Sequence, residues 1–247
     1  NIRYGTPADG ENTWKYRRKR VFKMFDEYKS DIIATQEALP LQIDEILYEF
    51  PELEVVYRSR TLEHEDGEGN AIFFNKSKWT LVSHDTFWLS DTPQEPASKS
   101  WGNTLPRIST LVVLRNISSG KRLKLMNVHF DHRSENSRTR STELVMRKLL
   151  TEAETMPTIL LGDINETPED RNVKRINKFF EDTYKGSELE GCTYHDYNGG
   201  ILCPRIDYIF YDNSSGLKLQ SFLIDRWQDK YYFPSDHYPL VATFAFE

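Results

Sequence analysis

Five short segments of this 247-residue chain set acid, amide or imidazole side chains at the ends of apolar, strand-like runs. Gln36-Glu37 follows Asp31–Thr35, and His129-Phe130-Asp131-His132 follows Leu123–Val128. Gly162-Asp163-Ile164-Asn165 follows Ile159–Leu161, Ile206-Asp207-Tyr208 opens a strand, and Ser235-Asp236-His237 precedes the last one. Asn1 joins them if a first strand ends there. Taken singly, each has a plain explanation: an Asp-x-Asn after a strand makes an Asx turn, and Ser-Asp-His makes a solvated loop. Surface polarity does not readily explain five such clusters at strand ends. Carboxylate and amide oxygens are the hard donors that Mg²⁺ or Mn²⁺ prefers. An imidazole beside a carboxylate has a fixed tautomer and can hold charge or a proton. Together these groups suit attack of water on a phosphate ester.

Strands and helices must carry these groups to one place. Period-two or continuous apolar runs predict strands at Asp31–Thr35, Ala71–Asn75, Ser109–Arg115, Leu123–Phe130, Thr158–Leu161, Ile206–Tyr211, Leu217–Ile224 and Leu240–Phe246. Asn116–Lys121 reads as a hairpin turn, and so does Asp212–Gly216. Helical stripes appear at Val21/Phe22/Phe25/Tyr28, Ile43/Ile46/Leu47/Phe50, Val145/Leu149/Ala153 and Val173/Ile176/Phe180, the last with Thr167 as cap and Pro168 in the first turn. About ten strands with a few scattered helices predict antiparallel sheets packed face to face with helices outside, in one domain spanning 1–247. Loops at strand ends can then converge on one rim.

The ordered set Asn-Ile-Arg-Tyr, Gln-Glu, Asn-Val-His-Phe-Asp-His, Gly-Asp-Ile-Asn, Ile-Asp-Tyr-Ile-Phe and Ser-Asp-His-Tyr-Pro resembles the endonuclease/exonuclease/phosphatase superfamily, over essentially the whole chain. That group includes DNase I-like nucleases, abasic-site endonucleases, deadenylases, inositol polyphosphate phosphatases and sphingomyelinases. The resemblance implies an α+β, four-layered α/β/β/α sandwich of two mostly antiparallel sheets, and Mg²⁺- or Mn²⁺-dependent phosphoester hydrolysis. It implies that Glu37, with Asn1 and Asp236 nearby, binds one metal ion. Asp163 then orients or deprotonates the attacking water, and Asn165 holds that water or a phosphate oxygen. His237 faces the scissile phosphate with Asp207 as its carboxylate partner, and Glu68 with His129 forms a second pair. Arg107 neutralises phosphate or supports Glu68; a salt bridge closing a strand accounts for it equally well. Some branches carry an acid two residues after the first asparagine, whereas this chain has Arg3, which favours a single ion.

Substrate class is less marked. Phe87-Trp88-Leu89-Ser90-Asp91-Thr92-Pro93, continuing to Trp101-Gly102, offers aromatics that either stack on a base or sugar or plug the loop against the sheet. The basic run Lys15–Arg20 either meets nucleic acid or is the solvated face of an amphipathic helix. His132, Arg133, Arg138 and Arg140 are candidates for reaching phosphate, and His195 is a further rim residue. Resemblance to members near the deadenylase-like branch tilts the expectation to a phosphodiesterase or nuclease acting on nucleic acid, nucleotides or small phosphodiesters. Phosphomonoesterase action on sugar or inositol phosphates is the alternative. A non-catalytic binding protein on the same fold would have lost Glu37, Asp163 or His237, and all three are present.

A net charge of −6 argues against non-specific attraction to nucleic acid, while a metal and a few arginines can reverse the field locally. No apolar run is long enough to cross a membrane as a helix. Two cysteines, Cys192 and Cys203, are too few for a disulfide framework and read as free thiols, with one loop disulfide as the alternative. A cytoplasmic monomer is the resulting expectation, with a leader upstream of Asn1 left open.

Overall fold

In a computed structural model of the chain, residues 1–62, 67–150, 156–187 and 190–246 are described. Eleven strands and four α-helices follow one another among them: α1 (Trp14–Tyr28), β1 (Ile32–Ala38), α2 (Pro40–Glu49), β2 (Leu53–Ser59), β3 (Gly69–Asn75), β4 (Trp79–Trp88), β5 (Ile108–Asn116), β6 (Arg122–His129), α3 (Glu135–Leu150), β7 (Thr158–Asp163), α4 (Arg171–Ile176), β8 (Glu181–Asp182), β9 (Asp207–Tyr211), β10 (Leu217–Ile224) and β11 (Leu240–Phe246). One sheet has six strands in the order β4-β5-β6-β7-β9-β8, with β6 and β7 parallel and the other pairs antiparallel. Opposite it lie a three-stranded sheet, β1-β3-β2, and a two-stranded sheet, β10-β11.

Strand parity makes the layers. Ile32 and Ala34 of β1, Ile72 and Phe74 of β3, and Phe244 of β11 meet Val112, Leu125 and Ile159 of the six-stranded sheet in a central core. The intervening residues Ile33 and Phe73 turn outward onto Val21 and Phe25 of α1 and Ile43 and Ile46 of α2. On the far side Leu111, Met126, Val128 and Leu160 pack against Val145 and Leu149 of α3 and Val173 and Ile176 of α4. Three apolar interfaces require four layers, so the α/β/β/α sandwich is present. Sheets covered on both faces also explain why β3 and β5 read as continuous apolar runs and not alternating ones.

Several local expectations are corrected. Asp212–Gly216 is no hairpin turn, because β9 is already flanked by β7 and β8, and the chain crosses there to β10 in the other sheet. α4 begins at Arg171, not after Thr167, since the Asp170 carboxylate accepts from both the backbone N–H and the hydroxyl of Thr167 and keeps that segment a turn. β2 and β4 were missed; both have exposed polar residues between their buried ones. The stripe position Ala153 lies outside the described residues. Cys192 and Cys203 form a disulfide, with Cα atoms 4.8 Å apart, so the free-thiol expectation was wrong and with it one ground for a cytoplasmic location. No described helix is long and apolar enough to cross a membrane.

Candidate active site

Register brings the chemistry together. At the ends of three neighbouring strands His129 of β6 stands opposite Asp163 of β7, which stands opposite Asp207 of β9. Gly162 permits this: its φ is +128°, and a Cβ there would lie 2.1 Å from the Val128 carbonyl oxygen. The next strand element cannot approach β6 so closely with any other residue. Asp163 is buried and split in duty. Its Oδ1 accepts from the Asn165 N–H at 2.9 Å, while Oδ2 lies 3.4 Å from Asn1 Nδ2 and 3.6 Å from His129 Nε2. Burial, then the Asp207 charge, pushes Asp163 up to about 7.

His237 donates through Nδ1 to Asp207 Oδ2 at 2.8 Å, so this pair forms as the resemblance implied. Burial alone would pull the imidazole down. The Asp207 charge and hydrogen bond, with Asp163 and Asp236 behind them, outweigh it and hold His237 up at about 9. Asp207 moves the opposite way: burial raises it, and His237 brings it below the ordinary carboxylate range. Asp163, Asp207 and His237 offer ligand atoms within 4.8 Å of one another. A histidine that carries a proton on both nitrogens is a poor metal ligand, so these three read better as a water-directing carboxylate beside a dyad.

The metal corner lies next to them. β1 loses register between Thr35 and Ala38, and Glu37 in that bulge has φ +60°. A bulge re-aims one side chain of a strand, here toward the rim. Glu37 Oε1 accepts from Asn1 Nδ2 at 3.0 Å, and Arg3 NH1 stands 3.8 Å from Oε2. Asp236 Oδ2 is 3.8 Å from Arg3 Nε. Arg3 and Asn165 also sit at φ +54°, so three left-handed non-glycine residues gather at one rim, as strained functional sites do. The donor set suits a hard divalent cation: Glu37, Asp236 and the Asn1 amide supply oxygens only. Charge balance agrees, because burial raises Asp236 and Asp163 in spite of Arg3 and His237, leaving a cluster short of positive charge.

The second expected pair does not form. Glu68 accepts from Arg60 NH2 at 2.6 Å, and burial pushes it up to about 7. His129 Nε2 instead accepts from Arg107 NH1 at 2.9 Å, which places the ring proton on Nδ1; burial and Arg107 hold His129 well below its usual value. Glu68, His129 and Arg107 nevertheless line one small recess with Arg60 and Glu37. Arg107 also reaches His132 Nδ1 at 2.9 Å. Asn165 gives its amide to the Phe130 carbonyl, 3.0 Å away. Arg138 is taken by Glu166 and Arg140 faces Glu143, while His195 is buried against Phe233 and Tyr238 instead of lining a rim.

Three positioning residues escaped the sequence reading. Arg17 belongs to the basic run yet is buried, and it donates to the carbonyls of Ile2, Arg3, Asn12 and Pro234, tying the Asn1 segment to the Ser-Asp-His loop. Its signal was its place in the buried stripe Trp14, Arg17, Val21, Met24. Asn127, wholly buried, joins the sheets: Nδ2 donates to Thr35 and Ala71 carbonyls, and Oδ1 accepts from Gln36 Nε2 at 2.7 Å. Thr193 Oγ1 accepts from the Asp207 N–H at 3.1 Å and is next to Cys192.

The pattern of the endonuclease/exonuclease/phosphatase family matches residues 1–237. The chain belongs to that family. Among solved structures, an endonuclease/exonuclease/phosphatase from Bacteroides vulgatus superposes with TM-score 0.91 at 29% identity, covering 100% of this chain and 97% of that one. The mannosyl-6-phosphatase of Bacteroides thetaiotaomicron gives TM-score 0.88 at 26% identity, again over 100% of this chain and 97% of that one. Nocturnin of Xenopus laevis is 25% identical over 206 residues; the match covers 75% of this chain and only 51% of Nocturnin, so the chain spans about half the length of that curated relative. Family membership makes this chain a phosphoester hydrolase in its broad chemistry.

The disulfide bears on the dyad. It closes a loop with a separation of 11 residues that carries Thr193 and Tyr194, and Tyr194 bridges to His237. Replacing both cysteines by serine is expected to lower unfolding free energy by about 2–3 kcal/mol. Turnover should fall several-fold as the dyad loosens. Urea unfolding and kcat measured on the same preparation check both; an unchanged urea midpoint would show that the pairing contributes nothing.

Proposed function

We propose that this chain is a divalent-cation-dependent phosphomonoesterase, releasing inorganic phosphate from a phosphorylated sugar or similar small polar alcohol. The observation that carries the reading is the recess lined by Arg107, Arg60 and His129, a compact cluster of donors suited to enclosing a terminal phosphate. Both features that favoured a nucleic-acid substrate are otherwise engaged. Trp88 is buried in β4 with its indole N–H on the Arg60 carbonyl at 2.8 Å, and Trp101 gives its N–H to Asp91. From the basic run, Arg17 braces the N-terminal segment and Arg18 pairs with Glu45. Likeness to the mannosyl-6-phosphatase along the whole chain supports the same substrate class.

In this reading Glu37, Asp236 and, through its side-chain oxygen, Asn1 hold one Mg²⁺ or Mn²⁺. When bound, the cation screens the phosphate and makes water more acidic. Asp163 aims the water and accepts its proton, a task that its elevated affinity for protons at about 7 suits. His237, oriented through Nδ1, turns Nε2–H to the oxygen on which charge grows. Arg107, fixed by His129 and His132, binds a non-bridging phosphate oxygen.

A rate panel tests the proposal. With Mg²⁺, hexose 6-phosphates should exceed bis-p-nitrophenyl phosphate and a single-stranded oligonucleotide in kcat/KM by at least about 10-fold. Arg107→Ala should lower kcat/KM on the monoester roughly 10- to 100-fold, the worth of a charge-assisted hydrogen bond. Faster turnover of the diester or oligonucleotide overturns it in favour of a phosphodiesterase.

A further inference from the structure

A slot of about 480 Å³ runs through the layer opposite the six-stranded sheet. One wall is β1, from Asp31 to Gln36, and the other is β11, from Leu240 to Phe246. β1 pairs only with β3, and β11 only with β10, so among the described residues each wall is a strand edge with no strand partner. An unpaired edge presents a row of backbone donors and acceptors and is a template for another strand. The roof is Val21, Met24 and Phe25 of α1; the floor is Leu125, Ile159 and Leu161 of the six-stranded sheet. Two facing edges, apolar above and below and six or seven residues long, outline one strand of about 20 Å.

Direction and source follow from the site end of the slot. Asn1 and Ile2 line that end, and the Ile2 N–H already donates to the Gln36 carbonyl at 3.2 Å. Polypeptide continuing back from Asn1 along this line runs beside Thr35, Ala34 and Ile32, parallel to β1 and antiparallel to β11. We propose that the slot is the seat of a β-strand formed by the residues directly upstream of Asn1, which joins the three- and two-stranded sheets into one and delivers Asn1 to the metal corner. A strand covered on both faces is apolar on both. The upstream segment should therefore be about six residues rich in Val, Ile, Leu, Phe and Thr, without proline.

Hydrogen exchange compares the chain beginning at Asn1 with one that also carries the ten residues encoded upstream in the same reading frame. Expected is at least 10-fold slower exchange of the β1 and β11 amides in the longer chain, and a Tm higher by several degrees. Proline placed three residues before Asn1 should reverse both changes. Equal exchange in the two chains, with the edges either open or already protected in the shorter one, overturns the proposal. So does a polar upstream sequence, or protection that survives the proline. Because none of these measurements reads catalysis, failure of the phosphomonoesterase reading leaves them unaffected.

Discussion

Exhaustive removal of divalent cations is expected to take phosphate-ester hydrolysis down by on the order of 1,000-fold, and added Mg²⁺ or Mn²⁺ to restore it. The reason lies in the charge count of the rim. Glu37, Asp236, Asp163 and Asp207 converge there, and the cations among them are Arg3, 3.8 Å from each of the first two, and His237, committed to Asp207. Buried carboxylates without a counter-charge are costly and repel a phosphate dianion, so binding and attack are opposed together. A cation on the oxygens of Glu37 and Asp236 relieves both effects. An independent readout is thermal: Mg²⁺ at 100 times its Kd should add about 2.7 kcal/mol of stability, and Glu37→Gln should remove most of that gain. Full turnover in excess chelator, after metal analysis confirms removal, would sink the metal assignment.

Asp163→Asn is expected to cost on the order of 100-fold or more in kcat while the protein stays folded. The carboxylate oxygen that holds the turn, Oδ1, accepts from the Asn165 N–H, and an asparagine side chain keeps that acceptor. What the swap removes is the charge and proton affinity of Oδ2, the oxygen that faces Asn1 and His129. Relief of repulsion from Asp207 offsets part of any packing loss, so Tm should move by only a few degrees. If Asp163 served the turn alone, kcat would stay at the parent value. A folded, cation-loaded Asp163→Asn protein with parental kcat refutes its catalytic role.

Much of the site was legible because catalytic groups at strand ends leave a local trace. Gly-Asp-Ile-Asn after an apolar run and Ser-Asp-His before one mark places where a buried strand stops and polar atoms begin, and the structure brings Glu37, Asn1, Asp236, Asp163, Asp207 and His237 to one rim. The layered fold was legible for a similar reason: strand parity and helical stripes are local consequences of burial. Partner choice was not local. Whether Glu68 met His129 or Arg60, and whether Arg107 met a phosphate-binding histidine or a strand-closing acid, depended on which loops came to share a recess. Arg17 read as one more surface cation because nothing within its helix reveals that the carbonyls of Ile2 and Pro234 converge on it. The cysteines read as thiols because a separation of 11 residues does not say whether the loop returns to a Cα distance of 4.8 Å. The sequence by itself determined which side chains could do the chemistry and which runs had to be buried. Pairing of charges and crossing of the chain between sheets were decided by tertiary structure, because those energies depend on distances between residues far apart in the chain.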